Sequence, residues 1–123
     1  MHEMPKRETT IERRRAIFED ARDVIEREYA RELDLDLVAQ RVATSRRQLQ
    51  RTFAEIGGTS FRAYVAEVRM RRAVELLREG RSPVRDVAMS VGYRQPAQFA
   101  KAFRRHHGAP PSSLRRAPAS LAA

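Results

Sequence analysis

From residue 10 onward the apolar residues recur at three- and four-residue intervals, and the apolar–polar alternation of a strand never takes hold. Ile17, Phe18, Ala21, Val24, Ile25 and Tyr29 form one stripe and predict a first helix over about 10–30, with Thr9 or Thr10 near its start. Asp34 or Asp36 can cap a short helix over 37–42. Ser45 can cap the next, which runs to Ile56 and stops at Gly57-Gly58, where the chain can turn left-handed. A longer helix starts near Thr59 or Ser60. Phe61, Tyr64, Val65, Val68, Ala73, Leu76 and Leu77 hold one face of it until Gly80. That is about 19 residues, roughly 28 Å at about 1.5 Å per residue. Ser82 then caps and Pro83 opens a helix to about Val91, and Gly92 breaks it. Another helix runs over about 95–106 before Gly108, and a last short one begins at Pro111.

The pattern repeats. Val38-Ala39 and Val42-Ala43 align with Val87-Ala88 and Val91-Gly92 at an offset of 49. Leu49, Phe53, Gly58 and Phe61 align with Phe99, Phe103, Gly108 and Pro111 at an offset of 50, so one residue is inserted at the second turn. Each copy is a short helix, a tight turn, a second helix with an aromatic knob and a glycine stop. Neither copy has the apolar surface to stand alone, so each must lean on the long helix between them. The predicted fold is all-α: two helix-turn-helix subdomains joined by a long central linker helix, about seven helices in all. Its parts are a flexible tail over 1–10, a first subdomain over 11–60, the linker helix over 61–79, a second subdomain over 80–116 and a flexible tail over 117–123.

In a helix-turn-helix the second helix enters a DNA major groove with its N-terminal residues at base edges. If Leu49, Phe53 and Ile56 point inward, then Arg47, Gln50, Arg51 and Ala54 share the outer face, with Arg46 beside them. Arginine can bond both acceptors of guanine, and glutamine can pair with adenine's acceptor and donor, so this face is a set of base-edge donors. No carboxylate lies between Asp36 and Glu55 to occupy them. Thr44 and Ser45, at the helix start, are placed to hold a phosphate through hydroxyl and backbone N–H. In the second copy the outer positions are Ala97, Ala100, Lys101 and Arg104. Alanines cannot read donors and acceptors. The second unit is therefore expected to anchor phosphate through Lys101, Arg104 and Arg105, with Arg94, Gln95 and Gln98 adding a few base contacts.

Charge strengthens this reading. Residues 1–36 hold 8 Lys/Arg against 11 Asp/Glu, a balance of −3, whereas residues 37–123 hold 17 against 5, a balance of +12. Nucleic-acid phosphate is the commonest partner of so basic a surface. The absence of cysteine removes disulfides, thiolate metal sites and a cysteine nucleophile. His106-His107 and the scattered acids offer neither ligand spacing nor a nucleophile–base pair, so no catalysis and no cofactor are expected. The N-terminus lacks an apolar signal core and no run approaches the roughly 18 apolar residues of a membrane span, which makes a soluble, cytoplasmic protein the expectation. Met1 and the poorly patterned start favour a complete chain.

Over about 35–116 the chain resembles the DNA-binding domain of the AraC/XylS transcription regulators, and in length the stand-alone members of the MarA, SoxS and Rob type. Val38-Ala39, Ser45, Leu49, Arg51, Phe53, Gly58 and Phe61 carry the resemblance in the first unit. Arg69, Ala73, Leu76 and Leu77 carry it in the linker helix. Val84, Val87-Ala88, Val91-Gly92-Tyr93, Phe99, Lys101, Phe103, Gly108, Pro111 and Arg115 carry it in the second unit. The resemblance implies promoter binding and activation through contacts with RNA polymerase. Ala43 stands where the family usually has glycine, and Leu114 where it has tyrosine. No small-molecule effector domain is visible. The expected function is a DNA-binding transcription activator that occupies an asymmetric double-stranded site as a monomer, its two units in adjacent major grooves. The alternative is an adaptor that contacts polymerase with largely nonspecific DNA affinity.

Overall fold

The computed structural model describes residues 6–114, and among them every regular element is helical. Six α-helices follow in order: α1 (Lys6–Glu28), α2 (Leu35–Arg41), α3 (Arg46–Thr52), α4 (Phe61–Glu79), α5 (Val84–Ser90) and α6 (Pro96–His107). A π-helical turn, Phe53–Gly57, continues α3, and a single 3-10 turn, Pro111–Leu114, follows α6 as the seventh short helix of the sequence reading. Helix α1 begins at Lys6 rather than near Thr10, because lysine, arginine and glutamate extend a helix without needing an apolar stripe. Residues 1–5 of the expected N-terminal tail, Arg115, Arg116 and the expected C-terminal tail lie outside the described residues. No helix among the described residues is long and apolar enough to cross a membrane.

Side-chain oxygens start three of the helices. Asp34, not Asp36, caps α2: its Oδ1 accepts the Leu37 N–H at 2.7 Å. Ser45 Oγ accepts the Gln48 N–H at 3.1 Å and so starts α3, while Ser60 Oγ accepts the Ala63 N–H at 3.0 Å at the start of α4. At α5 the expected Ser82 cap is absent. Pro83 itself occupies the cap position and its carbonyl accepts the Val87 N–H at 3.1 Å, so the helix starts one residue later and Ser82 falls outside it.

The chain divides into two compact units, and the division falls inside α4. The first holds the residues up to Glu28 together with Leu33–Tyr64. There α1 and α2 pack on α3, burying Phe18, Ala21, Ile25, Val38, Leu49 and Phe53. The Phe53 ring meets Phe18 edge-on at 5.1 Å and Phe61 at 5.7 Å. The π turn fits tightly against this cluster, since a Cβ on Gly57 would stand 2.7 Å from the Phe18 ring. Thr52, buried with them, donates its hydroxyl to the Gln48 carbonyl at 2.8 Å.

The second unit holds Tyr29–Glu32 and the residues from Val65 onward. Met70, Ala73, Leu77, Val87, Ala88, Val91, Phe99 and Phe103 form its core, with Tyr29, Tyr93 and Leu114 packed against it.

The duplicated turns differ where the sequence differs. Ala43 sits at φ 57, the left-handed region expected if it replaces a glycine; its counterpart Gly92 sits at φ 104. An L-residue with a Cβ loses roughly 1–2 kcal/mol in the left-handed region, part of which glycine gives back through its freer unfolded chain. Ala43→Gly is therefore expected to stabilise the protein by about 1 kcal/mol, read as a higher denaturant midpoint at unchanged slope. A lower midpoint would show that the turn gains more from alanine's stiffer unfolded chain than it loses in strain.

Candidate nucleic-acid interface

Helix α3 is anchored by Leu49 and, through the π turn, Phe53, both fully buried. That anchoring turns Arg47, Gln50, Arg51 and Ala54 outward, all exposed, as the four-residue spacing predicts. Among the described residues Arg47 and Arg51 have no carboxylate within ion-pair distance. Arg46 is different. Its Nη1 lies 3.1 Å from Asp36 Oδ2, because the crossing of α2 and α3 brings together residues ten apart in sequence. Asp36 is the residue that bounds the acid-free stretch 37–54.

The phosphate candidates at the α3 entrance are partly engaged. Thr44 is half-buried and its N–H donates to the Ala39 carbonyl at 2.9 Å, which leaves its hydroxyl but not its backbone donor for a phosphate. Ser45 is exposed; as the cap its oxygen accepts, and its hydroxyl proton remains to donate. Beside them Asp34, Asp36, Leu37, Ala39, Gln40, Thr44 and Arg46 line a shallow depression between α2 and α3.

In the second unit α6 buries Phe99 and Phe103 and exposes Ala97, Gln98, Lys101, Arg104 and Arg105; Ala100 is half-buried. Gln95, exposed, is the cap residue, and its side chain makes no capping bond. Lys101, Arg104 and Arg105 have no carboxylate within ion-pair distance among the described residues, whereas Arg94 Nη2 lies 3.1 Å from Glu32 Oε1. A lattice of contacts behind Arg94 explains where that glutamate comes from. Arg69, on α4, donates through Nε to the Tyr29 carbonyl at 2.7 Å and through Nη2 to the Arg31 carbonyl at 2.9 Å. Its guanidinium also lies over the Tyr93 ring, 5.6 Å from the centroid. Burial pushes the Tyr93 phenol above the ordinary tyrosine value, and the charge and hydrogen bond of Arg69 pull in the opposite direction. The partners Asp36 and Glu32 were not foreseen from sequence. Glu32 and Arg94 are 62 residues apart, and no local spacing pairs them.

Every predicted reading and anchoring residue thus lies at the entrance or on the outer face of α3 or α6, within its own unit. Among the described residues no group of three or more histidines, aspartates and glutamates is placed to hold a metal ion.

Residues 38–117 match the family described as "Helix-turn-helix domain". The chain is 36% identical over 101 residues to the HTH-type transcriptional regulator GlxA of Rhizobium meliloti (strain 1021), covering 82% of this chain and 30% of that protein. It is 32% identical over 83 residues to the regulatory protein SoxS of Salmonella typhimurium, covering 68% of this chain and 78% of SoxS. The chain thus spans about a third of the length of its longer relatives, with 37% and 38% in two further cases. Among solved structures, an AraC-type regulator from Chromobacterium violaceum superposes with a TM-score of 0.78 at 28% identity, over 82% of this chain and 90% of that one. The DNA-binding domain of the global transcriptional factor AdpA, solved in complex with a target DNA, gives 0.74 at 28% identity over the same shares. With its duplicated helix-turn-helix, its outward arginines and these likenesses, the chain belongs to the AraC/XylS family of transcription regulators, of which it carries the AraC-type DNA-binding domain.

Proposed function

We propose that this chain is a sequence-specific transcription activator that binds an asymmetric promoter site on double-stranded DNA as a monomer, in the cytoplasm, with RNA polymerase as its second partner. Its two units occupy adjacent major grooves. The observation that carries the reading is the outer face of α3: Arg47, Gln50 and Arg51 exposed together on a helix fixed from behind by Leu49 and Phe53, with no acid among the described residues paired to either arginine. Arg46, Arg94, Gln95 and Gln98 add base contacts, and Thr44, Ser45, Lys101, Arg104 and Arg105 hold phosphates. Direct readout comes mainly from the first unit, since α6 offers alanines at the corresponding outer positions.

Selection of bound fragments from random DNA tests this, followed by two substitutions. Arg51→Ala is expected to relax base preference at one position, with a loss of about 1–3 kcal/mol of discrimination there. Lys101→Ala is expected to weaken binding to all sequences together and to flatten the salt slope by about 1. A palindromic selected site would overturn the monomer. Equal losses on selected and scrambled duplexes from both substitutions would favour the adaptor reading, in which the basic face is mainly electrostatic.

A further inference from the structure

The pair between Arg94 and Glu32 is among the most exposed in the described residues, with side chains 84% and 82% accessible. Attraction across water does not hold such a pair in one geometry. Backbone does. The carbonyls of Tyr29 and Arg31 are fastened by Arg69, and a Cβ on Gly92 would stand 3.0 Å from the Ala30 carbonyl. Residues 29–32 therefore lie strapped across the turn between α5 and α6. The last residue of the strap carries a carboxylate to that turn's arginine.

We infer that Glu32 is a specificity-determining residue: it neutralises Arg94 at the groove, so that this arginine contributes a base contact without adding indiscriminate affinity for phosphate. The inference rests on the reading of Arg94 as DNA-facing. A free guanidinium gains from every phosphate it meets, because attraction to the polyanion is blind to sequence. A paired one can take a phosphate only with the Glu32 charge held beside that anion, which cancels most of the gain. Guanine makes no such demand. Its acceptors are neutral, and a guanidinium with five N–H donors can satisfy them while Nη2 keeps a donor on the carboxylate. Asp36 stands in the same relation to Arg46 in the first unit, at 3.1 Å.

The full chain, Glu32→Gln, Arg94→Ala and the double variant can be titrated at several salt concentrations against two probes. One is a duplex selected by the unaltered chain from random DNA, and the other is a scrambled duplex of the same length and composition. Glu32→Gln is expected to bind the scrambled duplex about fivefold to tenfold more tightly at 0.1 M salt, with a salt slope steeper by about 0.9. It should gain less on the selected duplex, so the specificity ratio narrows, and the gain should vanish in the Arg94→Ala background. An unchanged slope and ratio in Glu32→Gln, or the same gain with and without Arg94, overturns the inference. If Arg94→Ala leaves both duplexes bound as before, the DNA-facing reading of Arg94 fails and the inference falls with it. A loss from Arg94→Ala with no change in Glu32→Gln overturns the inference alone.

Discussion

Gly92→Ala is expected to destabilise the second unit by about 3 kcal/mol. At φ 104 a Cβ is strained before it meets any neighbour, and its nearest neighbours are the Ala30 carbonyl at 3.0 Å and the Arg69 guanidinium at 3.2 Å. The strain accounts for roughly 1–2 kcal/mol. The remainder follows if Arg69 is pushed off either carbonyl it holds, since a hydrogen bond to a charged donor contributes roughly 1.5–3 kcal/mol. For a domain of this size the melting temperature should fall by about 15 °C. Thermal unfolding of Gly92→Ala measures the loss. A double-mutant cycle with Arg69→Ala tests the cause: the two changes should be far from additive. Simple additivity would mean that the turn relaxes without disturbing the arginine.

Phe53→Ala is expected to remove about 4 kcal/mol from the first unit, within the range of about 3–5 kcal/mol for a buried phenylalanine. Phe53 is fully buried, and its ring touches Phe18, Phe61 and Tyr64 at 5.1, 5.7 and 5.7 Å. It is also the anchor that turns α3 outward, so binding to selected and scrambled duplexes should fall together, in contrast to Arg51→Ala. The chain has no tryptophan, which makes near-ultraviolet dichroism of its tyrosines, Tyr64 among them, the useful probe of denaturant unfolding. A loss below about 2 kcal/mol would mean that Phe18 and Tyr64 collapse into the vacated space.

The repeat made most of this fold legible. Glycine stops, the Ser45 cap and the paired aromatic anchors are local properties, and local properties are written in short stretches of sequence; the left-handed turn at Ala43 was suggested only by the resemblance. The outer face of α3 followed from them by helical period alone. Contacts between distant residues were not written in that way. Arg94 with Glu32, and Arg69 with the carbonyls of 29 and 31, depend on how the chain returns past itself. Thr52 was missed for a different reason. Its hydroxyl is satisfied by the carbonyl one turn back, so a residue that reads as polar is buried. The start of α1 was missed because a helix rich in lysine, arginine and glutamate needs no apolar stripe to continue.

Because Tyr29–Glu32 belongs with the residues from Val65 onward, the second unit is discontinuous in the chain. That limits how DNA preference can be exchanged between relatives. A crossover anywhere between residues 32 and 65 would carry Arg69, Gly92 and Arg94 into a new protein. The backbone carbonyls that Arg69 clasps would be supplied by whatever residues stood there, since every residue has one. The carboxylate of Glu32 would not travel. Such a chimera would carry Arg94 without its Glu32 partner, and a faithful transplant has to move Tyr29–Glu32 together with the segment from Val65 onward.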